Sequence, residues 1–114
     1  MLKGPNFVIR NVRDLDGTRR FYSETLGFSV AQEQPGFVQF ADTGGATFAL
    51  VGDAAGEATE LWWYVEDADA THEELRGRGV EIVHPPKDEP FGRRLVIRDV
   101  AGNTLYLLQP PAGS

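Results

Sequence analysis

The sequence predicts an α+β fold: two βαβββ modules in tandem, their strands forming a curved mixed sheet around a cleft. Three observations carry this. The stretch Val12-Arg13-Asp14-Leu15-Asp16-Gly17-Thr18 returns as Val65-Glu66-Asp67-Ala68-Asp69-Ala70-Thr71, an offset of 53 from Asp14 to Asp67. Asp42-Thr43-Gly44-Gly45-Ala46-Thr47-Phe48-Ala49-Leu50 returns as Asp99-Val100-Ala101-Gly102-Asn103-Thr104-Leu105-Tyr106-Leu107, an offset of 57 from Asp42 to Asp99. Both copies also run through the same succession of strand, helix and three strands. Echoes that keep their order and nearly their spacing mark a duplicated supersecondary unit.

The elements follow in order. Residues 6–12 read as a strand, and Asp14 or Asp16 then caps a helix whose inner face holds Leu15, Thr18 and Tyr22. Gly27 ends it. Three shorter strands follow at about 28–33, 36–41 and 46–52, separated by Pro35-Gly36 and Thr43-Gly44-Gly45. In the second copy a strand at 60–66 precedes a helix capped by Asp67 or Asp69, with Ala68, Thr71 and Leu75 on its inner face and Gly77 and Gly79 at its end. Strands at about 80–84, 93–98 and 103–109 complete it, with Ala101-Gly102-Asn103 repeating the earlier turn. The modules cover about 1–53 and 58–110 of one domain. Gly52–Ala58 reads as the linker, His84-Pro85-Pro86-Lys87-Asp88-Glu89-Pro90 as a stiff loop, and Pro110 to Ser114 as a tail.

Strand alternation sorts the faces. Phe48 and Leu50 match Leu105 and Leu107, and Leu61, Trp63 and Val65 share one side of their strand. These should pack on the helix of their own copy. The opposite side carries Phe7, Ile9, Trp62, Tyr64 and Tyr106. That is too much apolar surface to leave wet, so a cleft, a ligand or a second subunit must cover it.

The whole chain narrows the function classes. Its 114 residues suffice for one domain with a modest core, and 41% hydrophobic with 25% charged residues is ordinary for a globular protein. No cysteine is present, which removes disulfides, thiolate metal sites and thiol nucleophiles and fits a cytoplasmic address. The first apolar cluster is broken by Arg10, Arg13 and Asp14, so no secretory leader is expected, and no apolar run reaches membrane-spanning length. A net charge of −6 argues against nucleic acid as partner and favours cationic ligands, although it also serves solubility.

The order and spacing of several short motifs resemble the vicinal oxygen chelate superfamily, the glyoxalase/bleomycin resistance protein/dioxygenase group. They are Val12-Arg13-Asp14-Leu15, Arg20-Phe21-Tyr22, Leu26-Gly27-Phe28, Tyr64-Val65-Glu66-Asp67, Arg78-Gly79-Val80, Pro90-Phe91-Gly92-Arg93 and Arg98-Asp99-Val100-Ala101-Gly102-Asn103. The resemblance implies a fold rather than one reaction, because this fold hosts many activities. It places the four metal ligands of the group's enzymes at Phe7, Ala49, Glu60 and Tyr106. Phe and Ala have no donor atom, phenolate is an unusual ligand at neutral pH, and one carboxylate does not hold a catalytic divalent ion. The resemblance therefore implies the metal-free branch, closest to the bleomycin resistance proteins. Those are small, acidic, dimeric binders that sequester a cationic antibiotic in aromatic-lined grooves.

On this reading the protein is a non-catalytic small-molecule binder with no cofactor and no metal. It works as a cytoplasmic homodimer and sequesters a cationic or aromatic antibiotic. Trp62, Tyr64, Phe7 and Tyr106 supply stacking surface, Glu60 supplies charge, and Phe91 with Arg93 forms a flexible wall. Arg94 either reaches the cleft or pairs with Glu89 or Asp88. His72 and His84 read as surface residues, since no triad partner accompanies either. Two alternatives remain. One is a metal-dependent lyase, isomerase or dioxygenase with an altered ligand set. The other is an interaction module whose aromatic cleft is buried by a partner subunit.

Overall fold

The computed structural model describes residues 2–55, 58–100 and 102–111. Part of the expected linker (56–57), the turn residue Ala101 and the end of the expected tail (112–114) lie outside them. The chain divides into two compact units, Asn6–Glu60 and Leu61–Ser114, the second joined by Met1–Pro5. No helix among the described residues is long and apolar enough to cross a membrane.

The Asn6–Glu60 unit takes the greater part of β1 (Lys3–Val12), then α1 (Leu15–Arg20), a π-helical turn (Phe21–Thr25), β2 (Val30–Gln34), β3 (Phe37–Phe40) and β4 (Thr47–Gly52). Its strand order is β2-β3-β4-β1, with β1 and β4 parallel and the rest antiparallel. Asp14 is the cap: its side chain accepts from the Gly17 N–H at 2.9 Å. The helix is short because Gly17 is a weak helix former and because Leu26 N–H reaches the Phe21 carbonyl at 3.1 Å, widening the last turn. Val12, Val38, Phe40 and Leu50 form the core, with Leu15, Tyr22, Phe28, Val30 and Phe48 against them. Tyr22 is the hub, its ring 5.1 Å from that of Phe48 and 5.6 Å from that of Phe40.

The second unit repeats the plan with the greater part of β5 (Thr59–Tyr64), then α2 (Ala68–Gly77), β6 (Glu81–Glu89), β7 (Gly92–Arg98) and β8 (Thr104–Gln109), in the order β5-β8-β7-β6. Asp67 caps α2 by accepting from Ala70 N–H at 3.0 Å, and Ala68, Thr71 and Leu75 are buried as the spacing requires. They pack with Val65, Leu95, Ile97 and Leu107. The α+β class and the βαβββ order are those the sequence predicts.

One element differs. The segment 84–90, expected to be a stiff loop, is largely strand: β6 continues to Glu89 despite Pro85 and Pro86. Two causes make this possible. β6 ends the strand order and pairs only with β7, so a missing N–H costs it little. The register also slips between His84 and Lys87, which takes both prolines out of the ladder.

Candidate functional site

The parallel pairing of β5 with β8 sets Trp62 opposite Tyr106 and Tyr64 opposite Leu108. Leu105 and Leu107 point to α2, so Tyr106 and Leu108 point the other way, and Trp62 and Tyr64 with them. The Trp62 and Tyr106 rings stack with centroids 4.9 Å apart and planes 20° from parallel. Phe91, in the turn between β6 and β7, meets Trp62 edge-on at 5.8 Å and 82°. Three aromatic residues from distant parts of the sequence thus form one cluster. Trp62 is 8% exposed and Phe91 47%, so Phe91 is the removable side of the cluster and Trp62 its base.

Gly92 shapes this turn. Its φ is 138°, a region side chains avoid, and a Cβ there would lie 2.4 Å from the Gln109 carbonyl oxygen. Only glycine lets β7 pass so close to β8 immediately after Phe91.

Arg93 does not join Phe91 in a wall. It pairs with Gln109 and alternates with Leu95 and Ile97, which puts it on the α2 side of the sheet. There it donates to Asp69 at 3.1 Å and Asp88 at 2.8 Å. These two carboxylates, Asp69 foremost, raise the guanidinium pKa above its ordinary value. Arg94 has the other parity. It faces the Trp62 side opposite Leu108 and pairs with Glu89 at 3.5 Å. A cavity of about 270 Å³, lined by Pro90, Arg93, Gln109 and Pro110 among others, lies at the end of β8. It is small for a drug-sized molecule.

Phe7 and Glu60 belong to the other unit. Phe7 is half-buried and pairs with Thr47. Glu60 Oε2 accepts from Asn11 Nδ2 at 2.9 Å, and the same nitrogen donates to the Ala58 carbonyl at 3.2 Å. Asn11 is buried, so this amide fixes the carboxylate.

A sequence family described as the Glyoxalase/Bleomycin resistance protein/Dioxygenase superfamily matches residues 4–107. The chain belongs to this superfamily. A protein of uncharacterised function from Mycolicibacterium smegmatis is 31% identical over 106 residues, covering 90% of each chain. A superfamily member from Vibrio splendidus 12B01 superposes with a TM-score of 0.75 at 17% identity, over 94% of this chain and 97% of that one. Methylmalonyl-CoA epimerase from Mycobacterium tuberculosis gives 0.73 at 22% identity, over 93% and 87%. At such identities these two likenesses concern the fold, which is that of the glyoxalase/bleomycin resistance group.

The superfamily's metal positions do not fit an ion in this chain. Ala49 is fully buried, and its neighbour across β1 is Ile9 rather than Phe7. Tyr106 is stacked on Trp62. Among the described residues no three His, Cys, Asp or Glu side chains gather as a metal site.

Sequence alone does not single out Asn11 or Lys87, and it leaves Arg94 between the cleft and an acidic partner. Leu95 and Ile97 held the signal for Arg94, since a residue one position before Leu95 must face away from α2. Nothing local marks Asn11, whose partner is 49 positions away.

Proposed function

We propose that this superfamily member binds a flat, amphipathic organic molecule stoichiometrically and without chemical change, the kind of binding that protects a cell by sequestering an aromatic antibiotic. One observation carries the reading. Trp62 and Tyr106 stack on the side of the sheet away from α2, where the superfamily resemblance would place a metal donor. Aromatic rings at such a position favour another planar ring, at about 0.5–1.5 kcal/mol per contact beyond burial. Phe91 swings from the edge of Trp62 as the ligand enters, and Tyr64 and Tyr106 receive it. Phe7 and Glu60 stand in the other unit and are outside this proposal. We further propose a cytoplasmic homodimer, since Phe21, Leu26, Leu61 and Phe91 leave large apolar side chains exposed in the single chain. Sedimentation equilibrium tests it: twice the chain mass is expected.

Fluorescence tests the binding. In a Trp63→Phe background Trp62 is the only tryptophan, and planar aromatic drugs should quench it with one-to-one stoichiometry. Mass spectrometry should recover the ligand unchanged. Tyr106→Leu should weaken binding by about fivefold or more. A converted ligand, or stoichiometric metal in protein purified without chelator, would turn the reading to an enzyme. Lack of quenching by every drug would reject it.

A further inference from the structure

Two ladder rows cross the sheet of the second unit on the side away from α2. One reads Trp62, Tyr106, Val96, His84 and the other Tyr64, Leu108, Arg94, Lys87. Both rows start from rings on β5 and β8, and on β7 and β6 the second row ends on two fixed cations, Arg94 and Lys87. The polar end of the face is therefore basic, although the chain as a whole carries −6.

The acidic residues nearby are largely accounted for. Asp69 and Asp88 are on the α2 side, held by Arg93. Glu81 neutralises Arg98 at 2.7 Å. Among the described residues only Glu89 pairs with Arg94, and at 3.5 Å the contact is loose. Lys87 makes no ion pair among the described residues. The Arg94 and Glu89 side chains are 27% and 21% exposed, so this pair sits partly out of water. Within it the Arg94 Nε is buried with no hydrogen-bond partner. A guanidinium presents a planar fork of donors suited to two oxygens at once. Here the fork is used at one tip only, and its unfilled donor carries a desolvation cost that a second acceptor would remove.

We propose that this face takes the anionic end of its ligand on Arg94, with Lys87 beside it, while the aromatic body lies over Tyr106 and Tyr64. The ligand class is an aromatic carboxylate, not an aromatic amine. Glu89 holds the guanidinium in the empty site and competes with the incoming carboxylate. The diagonal from Tyr106 to Arg94 spans roughly 7–8 Å between adjacent strands, a distance bridged by a two-ring acid and the reach of an arginine. This inference rests on the aromatic-binding reading above and adds the sign of the charge.

Titration calorimetry on the full chain with three matched probes tests it: 2-naphthoate, 2-naphthalenemethanol and protonated 2-naphthylmethylamine. The acid should bind about tenfold more tightly than the amine. Arg94→Gln should collapse the ratio of acid to alcohol affinity toward one. Glu89→Gln, which relieves the competition and keeps the arginine, should widen that ratio several-fold. An amine that binds as tightly as the acid, or an acid preference that survives Arg94→Gln, would overturn the charge assignment. If the alcohol still binds in that case, the aromatic reading stands alone. If none of the three probes binds, both readings fall.

Discussion

Trp62 and Tyr106, 44 positions apart in the chain, lie ring on ring at 4.9 Å across the parallel pairing of β5 and β8. Parallel neighbours stack in this way only when their register is fixed, and here it is set by Trp63 opposite Leu107 and Tyr64 opposite Leu108. The stack therefore stabilises the strand pair as well as the candidate site. Tyr106→Leu keeps apolar volume and removes the ring. It should cost about 0.5–1.5 kcal/mol in urea unfolding, and in the Trp63→Phe background the emission of Trp62 should change with it.

Phe91 covers the edge of Trp62 while remaining half exposed itself. Phe91→Ala should therefore admit solvent to an indole that is otherwise buried. Acrylamide should quench Trp62 several-fold more readily in this variant than in the parent with Trp63→Phe. Stability should fall by no more than about 1–2 kcal/mol, because a ring this exposed contributes only part of its burial.

Gly92 stands between Phe91 and the sheet. Gly92→Ala meets both a φ of 138° and a carbonyl 2.4 Å from the new Cβ. Backbone strain and overpacking together predict a loss of about 2–5 kcal/mol. The relief lies in moving the β6–β7 turn, so Trp62 should also become more accessible. Calorimetric melting with acrylamide quenching reads both effects.

The repeat made the fold legible, and its two offsets return in the ladders. Ile9 faces Ala49 across β1 and β4 as Trp62 faces Tyr106 across β5 and β8. Of two possible aspartates at each helix start, Asp14 and Asp67 are the caps, because each is three residues before the N–H it accepts. The hairpin of β6 and β7 was the obscure part. Two prolines read as a loop, although an edge strand with a slipped register tolerates them. With 93–98 read as strand, the alternation through Leu95 and Ile97 sends Arg93 and Arg94 to opposite faces, and without the partner strand β6 its consequence for Arg94 could not be drawn. The amide of Asn11 under Glu60 was illegible for a different reason. Such contacts depend on how strands are brought together, and neither residue shows it locally.

That amide makes its own prediction. Asn11 is buried and serves two acceptors, the Ala58 carbonyl and the Glu60 carboxylate. Asn11→Ala leaves both without this donor and should destabilise the fold by about 1–3 kcal/mol. Chemical denaturation of the variant beside Glu60→Gln divides the effect: if the carboxylate is the main partner, the double variant should lose less than the sum of the singles.

The last expectation concerns pH. Lys3 donates to Glu66 at 2.5 Å, and this hydrogen bond, with the lysine's charge, holds the Glu66 carboxyl below the ordinary glutamate range. A carboxyl whose folded-state pKa is depressed contributes stability above its unfolded pKa and loses it as pH falls through the folded value. Both side chains are largely exposed, so the contribution is small and screened by salt. Lys3→Met should return the Glu66 titration midpoint upward, as read by carboxyl carbon NMR. The stability difference between variant and parent should be present near neutral pH, shrink as the solution is acidified past the glutamate range, and fade in high salt. A difference that grew on acidification would mean that Lys3 acts through something other than Glu66.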